Sequence, residues 1–270
     1  VRIEIGLKDQ EIRLLHCGRG AYPVHCTGDR SDIYLNMRPD LNNREAAVQA
    51  AIAEVLAPQW AHTKQLLSVN SVGTDEKGNP TPIRIDDESE PGTYFVYFPI
   101  RNEKYCLVVG VAPDESGRLA VSGQFMEAGV RVVLAIYSRT LSAADITKRL
   151  SLVPSSTHAI GDPIYKHNPA GRKHEQHIWC IQPQRDVPAS VEEKLSNLLK
   201  HIEPAVEQIK AIRPACEIHV NIEYTGWGGM CQFGGYHMDD HVVQGFAAIG
   251  AEFDFDLYAM GPAMPEDDEQ

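Results

Sequence analysis

From Val130 to Met260 the spacing of apolar residues switches repeatedly between a period of two and a period near 3.6, which leaves few folds open. Val130-Arg131-Val132-Val133-Leu134-Ala135-Ile136-Tyr137 is rich in β-branched residues and reads as a strand. Ser142 opens a short helix that runs to Leu150. Gly161-Asp162-Pro163 reads as a turn, and a strand carrying Trp179 follows it. Ser190 and Glu193 form a capping box for a long helix with the stripe Leu195, Leu198, Leu199, Ile202, Val206 and Ile209. Pro204 should kink or split that helix at Glu203. Ile218, Val220 and Ile222 alternate with polar residues in a strand from Glu217 to Glu223. Asp239 caps a further helix carrying Val242, Val243, Phe246 and Ile249, and the run Glu252 to Tyr258 closes the unit. The expectation is a mixed or antiparallel sheet with helices on one face.

The first half reads as a different unit. Asn42 and Glu45 suggest a capping box for a helix over Asn43 to Val55, ended by Pro58, and a second helical segment fits Ala61 to Leu67. Gly73 to Pro80 holds too many breakers for regular structure. A meander follows: Tyr94 to Phe98, a loop at Arg101-Asn102-Glu103, Tyr105 to Val109, a turn at Pro113 to Gly117, and a strand from Arg118 to Ser122. Both halves are therefore α+β, each with a mixed or mainly antiparallel sheet and helices on one face. The expected division is a first module over residues 1–125, a second over 126–262, and an acidic tail over 263–270. No flexible linker is visible near Gln124 to Gly129, so the two modules should pack against each other.

Gly161-Asp162-Pro163 ahead of Trp179, the order of elements around them, and the acidic-aromatic last strand resemble the bacterial family called domain of unknown function 4279. The resemblance covers about Val130 to Met260 and implies a fold unit without an activity. The first half carries no such resemblance.

Composition narrows the classes of function. The 270 residues suffice for two cores, and 43% hydrophobic residues is ordinary for a globular chain. No apolar run is long enough to span a bilayer, and the charged, alternating start does not read as a signal peptide, so a cytoplasmic protein is expected. The formal net charge of −12 argues against nucleic acid as a partner and fits either a plain soluble protein or one whose partner has a basic surface. The six cysteines, Cys17, Cys26, Cys106, Cys180, Cys216 and Cys231, show no metal-ribbon spacing. They suit reduced structural thiols, with a bridge or metal at Cys17 and Cys26, which flank a glycine-rich turn, as the alternative.

Few constellations suggest chemistry. His237 and His241 have the spacing of helical metal ligands, with Asp240 where an inverted zincin motif has Glu. Asp239 as an N-cap would leave His237 before the helix, and no third ligand stands at a characteristic distance. His167, His174 and His177 fall in a polar, basic stretch that reads as a solvated loop, the alternative being a site for an anion or an acidic patch of a partner. Gly18-Arg19-Gly20 and Thr225-Gly226-Trp227-Gly228-Gly229-Met230 lack the rest of a nucleotide fingerprint. Neither a metal nor another cofactor is expected.

Candidate binding residues remain. On the last strand Glu252, Asp254 and Asp256 share one face by period two, roughly 7 Å apart, while Phe253, Phe255 and Leu257 should pack inward. The row is either a solvated sheet face or a docking strip for a basic partner. Asp162 either bonds amides within its turn or lines a pocket, and Trp227 in the glycine-rich segment is a further candidate. The expected function is non-enzymatic protein binding of a bacterial type, in its concrete form an immunity protein that neutralises a toxin by direct contact. The alternative is an enzyme or small-ligand protein with its site between the modules, using His237, His241 and Asp162.

Overall fold

Ser142, Ser190 and Asp239 each begin a helix, and their caps show why. The Ser142 hydroxyl accepts from the Asp145 amide at 3.2 Å while the Asp145 carboxylate accepts from the Ser142 amide at 3.1 Å. Asp239 accepts from the Val242 amide at 2.8 Å. Ser190 accepts from the Glu193 amide at 3.2 Å, but the Glu193 side chain does not complete a box. It pairs instead with Arg84, far away in sequence. A computed structural model of the protein describes residues 41–229 and 235–263. Cys17, Cys26, Cys231, the turn at Gly18-Arg19-Gly20 and the acidic tail from Glu266 lie outside them.

The fold is α+β. Helices α1 (Leu41–Leu56) and α2 (Ala61–Val69) precede a four-stranded antiparallel sheet. Its strands lie in sequence order: β1 (Arg84–Asp86), β2 (Tyr94–Pro99), β3 (Cys106–Pro113) and β4 (Leu119–Glu127). α1 starts at Leu41, so Asn42 falls inside the first turn rather than ahead of it. β4 stays paired with β3 as far as Glu127 opposite Cys106, past the expected end at Ser122.

Two residues later the chain enters a second sheet. β5 (Gly129–Ser138) leads to α3 (Ala143–Leu150), β6 (Ser156–His158) and β7 (His177–Ile181). α4 (Val191–Ile202) and α5 (Val206–Ile212) are separated by a tight turn holding Pro204, because proline cannot donate the next helical bond. β8 (Glu217–Trp227), α6 (Asp240–Ile249) and β9 (Glu252–Met260) complete the sheet, whose order is β6-β7-β5-β8-β9. Only β8 and β9 run parallel, joined through α6, since parallel neighbours need a crossover.

Each sheet has its own core. Ala47, Ala51 and Val55 of α1 lie on Val96, Phe98, Leu107 and Val109. In the second, Leu134, Ile136, Val220 and Ile222 face Leu195, Leu198, Ile202 and Phe246. Trp179 is fully buried there and donates from Nε1 to Thr147 Oγ1 at 3.0 Å, binding β7 to α3. Burial of one such side chain is worth roughly 2–3 kcal/mol.

Trp227 crosses between the cores. It belongs to β8 of the second sheet, yet its ring is 4% exposed among the residues of the first core. Its Nε1 donates to the Pro262 carbonyl at 2.8 Å, fastening the chain that leaves β9. That exit bends at Gly261, whose φ of +85° and close approach to the Tyr105 hydroxyl leave no room for a Cβ.

Candidate functional site

Three places in the fold hold polar groups in numbers that call for an account: the junction between the sheets, the β6–β7 turn, and the helix-free face of the second sheet ending at β9.

At the junction, Arg84 is the central group. Its guanidinium donates to the Pro188 carbonyl at 2.6 Å and pairs with Asp86 at 3.2 Å and Glu193 at 2.9 Å. It also lies over the Tyr97 ring, 5.2 Å from the centroid. Asp86 accepts from the Glu88 and Ser89 amides and, at 2.5 Å, from the Ser89 hydroxyl. Burial opposes ionisation of Asp86, but these bonds and the Arg84 charge overrule it and hold the carboxyl below its ordinary value. Beside this cluster an open cleft of about 450 Å³ is lined by Arg84, Asp86, Glu88, Ser89, Ser190, Glu192, Glu193, Ser196 and Asn197. Arg84, Asp86, Ser89 and Glu193 bond one another as a latch between β1 and the start of α4, while Glu192 accepts from the His237 amide.

The β6–β7 turn uses Asp162 structurally. Its carboxylate accepts from the Ala159 amide at 2.7 Å, and its carbonyl accepts from the His174 amide at 2.9 Å. His174 stacks on His158, centroids 4.6 Å apart, with its Nε2 buried and without a hydrogen-bond partner. Burial, then the neighbouring His158, holds the His174 pKa below its ordinary value. The loop reading therefore misses His174, because only the packing of the turn onto β6 brings the two rings together. His237 and His241 are both exposed, and Asp239 stands as the N-cap of α6 between them. The turn holding Asp162 and the α6–β9 segment sit at opposite ends of the strand order, so Asp162 does not join those histidines. Among the described residues no group of three or more His, Cys, Asp or Glu is arranged to hold a metal ion.

The third place contains the carboxylate row. Among the described residues, helices cover one face of the second sheet, the face of Val220 and Ile222. On the other, the register sets Glu252 beside His219, Asp254 beside Asn221 and Asp256 beside Glu223. His219 Nδ1 and Asp254 Oδ2 lie 2.9 Å apart. The Tyr137 ring meets His219 edge-on at 5.3 Å. Burial raises the Tyr137 pKa and a nearby Asp254 adds to it, while a hydrogen bond with Asn221 acts the other way. Glu223 bonds to Lys104 and lies 3.8 Å from Arg131, so part of the row's surroundings is already neutralised.

β9 differs from expectation in its other residues. Phe253 is half-buried against the core, whereas Phe255 is 38% exposed and Leu257 61% exposed. Phe255 stacks on Tyr236 rather than entering the core. β9 is the last strand of the sheet, and Phe253 packs against the core while Phe255 and Leu257 do not. Trp227 is corrected more strongly, since burial in the first core leaves its ring no surface to offer a partner. Cys106 is a buried free thiol pushed up to about 12 by desolvation, and Cys180 and Cys216 are also free.

This architecture, five strands with a β8–α6–β9 crossover behind Trp179 and the Asp162 turn, can now be set against known families. Residues 128–260 match the family model described as Domain of unknown function (DUF4279). The second half of the chain is a DUF4279 domain. No family model matches the first half. No curated protein and no solved structure matches the chain. The matched segment begins where β4 gives way to β5 and ends with β9, so the DUF4279 domain carries both the helix-free face and the exposed last strand. No helix among the described residues is long and apolar enough to cross a membrane.

Proposed function

We propose that the protein acts by binding another protein, and that this partner presents a basic surface. One observation carries the reading: β9 of the DUF4279 domain is a nine-residue strand exposed along nearly its whole length, with Glu252, Asp254 and Asp256 directed to one face. Leu257, Tyr258 and Met260 continue it with exposed apolar area. A row of fixed carboxylates next to apolar side chains supplies both electrostatic steering and contact area. The net charge of −12 acts in the same direction at longer range. In its concrete form the partner is a basic toxin of a bacterial competitor system, and this protein is the cytoplasmic immunity protein that occludes it.

A second reading, a small-ligand or catalytic site between the modules, has the junction cleft in its favour. Against it stands the mutual bonding of Arg84, Asp86, Ser89 and Glu193. The protein purified from its natural host with any bound partner decides between them. With a partner identified, changing Glu252→Gln, Asp254→Asn and Asp256→Asn together should slow association about tenfold at low salt and flatten its salt dependence. Unchanged kinetics with an intact fold would sink the proposed docking strip. Suppression of the partner's toxicity on co-expression tests the immunity form.

A further inference from the structure

We infer that the edge of β9 left unpaired among the described strands takes up an extended strand of a partner in which basic and apolar residues alternate. The inference rests on the protein-binding reading above and adds its mode. Met260 accepts from the Gly228 amide at 2.7 Å, so the backbone of Met260 points to β8. Alternation then turns the even-numbered residues from Glu252 to Met260 toward β8. The amides and carbonyls of Phe253, Phe255, Leu257 and Ala259 point to the other side, where no strand among the described residues pairs with them. An unpaired edge of this length is a template for strand addition.

Charge selects the occupant. Natural edges are commonly guarded by lysine or proline, and β9 contains neither. A second copy, joined edge to edge about a two-fold axis, keeps the same face up in both strands. Glu252, Asp254 and Asp256 would then stand opposite or diagonal to their own counterparts, which is unfavourable. A partner strand with lysine or arginine on that face reverses the sign of every one of these pairs. Its other face would place aliphatic side chains beside Phe255 and Leu257, both exposed and both on the side opposite the carboxylates.

The test uses the full chain and two synthetic peptides as long as β9, one alternating lysine with valine and the other glutamate with valine. With the lysine peptide at low salt, amide exchange at Phe253, Phe255, Leu257 and Ala259 should slow about tenfold or more, with the even-numbered amides little changed. The glutamate peptide should give no protection. Leu257→Pro removes one outward amide without touching the β8 ladder and should abolish the protection, whereas Leu257→Thr should retain it. Peptide binding without protection of the odd amides, or equal protection by the glutamate peptide, would overturn the inference. So would a concentration-dependent dimer of the protein alone that Leu257→Pro dissolves. If proline unfolds the chain, the exchange pattern of the unaltered protein still decides. A natural partner that binds Leu257→Pro normally leaves the protein-binding reading standing and removes only strand addition. Odd-amide protection by the lysine peptide, with no protein partner in the natural host, supports strand addition and removes the function built on it.

Discussion

β3 and β9 are of similar length and apolar content, yet one is buried on both faces and the other is bare on nearly all of its surface. In β3, Cys106, Leu107, Val108, Val109 and Val111 are all at most 5% exposed. α1 covers one face of its sheet, while Tyr97, Val108 and Cys106 form a small cluster on the other, beneath Arg84. β9 alternates carboxylates with apolar residues and, among the described strands, has a neighbour on one side. A strand with no polar period demands two covers, and over the second face Arg84 lies on Tyr97 while bonded to Pro188 and Glu193. A strand with a polar period needs one, and at an edge it receives part of one. The bare strand is the surface on which the proposed protein contact rests.

The largest expected effect breaks or confirms the separateness of the two cores. Trp179→Ala and Trp227→Ala should each cost about 3–5 kcal/mol. Trp179→Ala should lower the unfolding of the second module alone, whereas Trp227→Ala should lower both, because Trp227 belongs to β8 and fills the first core. Calorimetry with fluorescence-monitored denaturation distinguishes these, and identical effects of the two would mean one cooperative unit.

Arg84→Met sharpens the account of the second cover on the first sheet. It strips Asp86 and Glu193 of their shared partner and the Pro188 carbonyl of its donor. A loss of about 2 kcal/mol in denaturant unfolding is expected. No loss would show that the latch adds nothing beyond the packing around it.

Acid should probe the same junction more gently. Asp86 is held below its ordinary value of 3.8 in the folded chain, so its stabilising contribution is complete above that value. The contribution should fall as pH drops below 3.8 through the folded pKa. Asp86→Asn should flatten this limb of the stability curve, and an unchanged acid limb would count against the assignment. The smallest effect belongs to β9. Neutralising Glu252, Asp254 and Asp256 should move stability by no more than about 0.5 kcal/mol, read from the thermal midpoint. A larger loss would mean that the row, through Asp254 and His219, is part of the scaffold.

Much of the fold was legible in local pattern. The meander, the caps at Ser142 and Asp239, and the break at Pro204 all follow from short-range chemistry. β1 was not legible, since its three residues, Arg84-Ile85-Asp86, become a strand only by pairing with Tyr97, Val96 and Phe95. Nor was the length of β8. Thr225, Gly226 and Trp227 read as the start of a glycine-rich turn, but pairing with Tyr258, Ala259 and Met260 carries the strand through them. Likewise Ser190 and Glu193 read as a reciprocal capping box, and the charge of Arg84 draws the Glu193 side chain out of it.

At the candidate site the division is the same. Period two alone determined that Glu252, Asp254 and Asp256 share a direction, because the pleat fixes alternate side chains whatever lies beside the strand. Gly161-Asp162-Pro163 determined its own turn, and helical spacing determined the stripe from Leu195 to Ile209. Only the tertiary structure decided that β9 lies at an edge, that Leu257 is left in solvent, and that His219 stands 2.9 Å from Asp254. It also decided that Trp227 serves the core of the other module. Local pattern sets which way a side chain points. What it meets there depends on strand order and on which faces find a cover, and those are set by contacts between residues far apart in the chain.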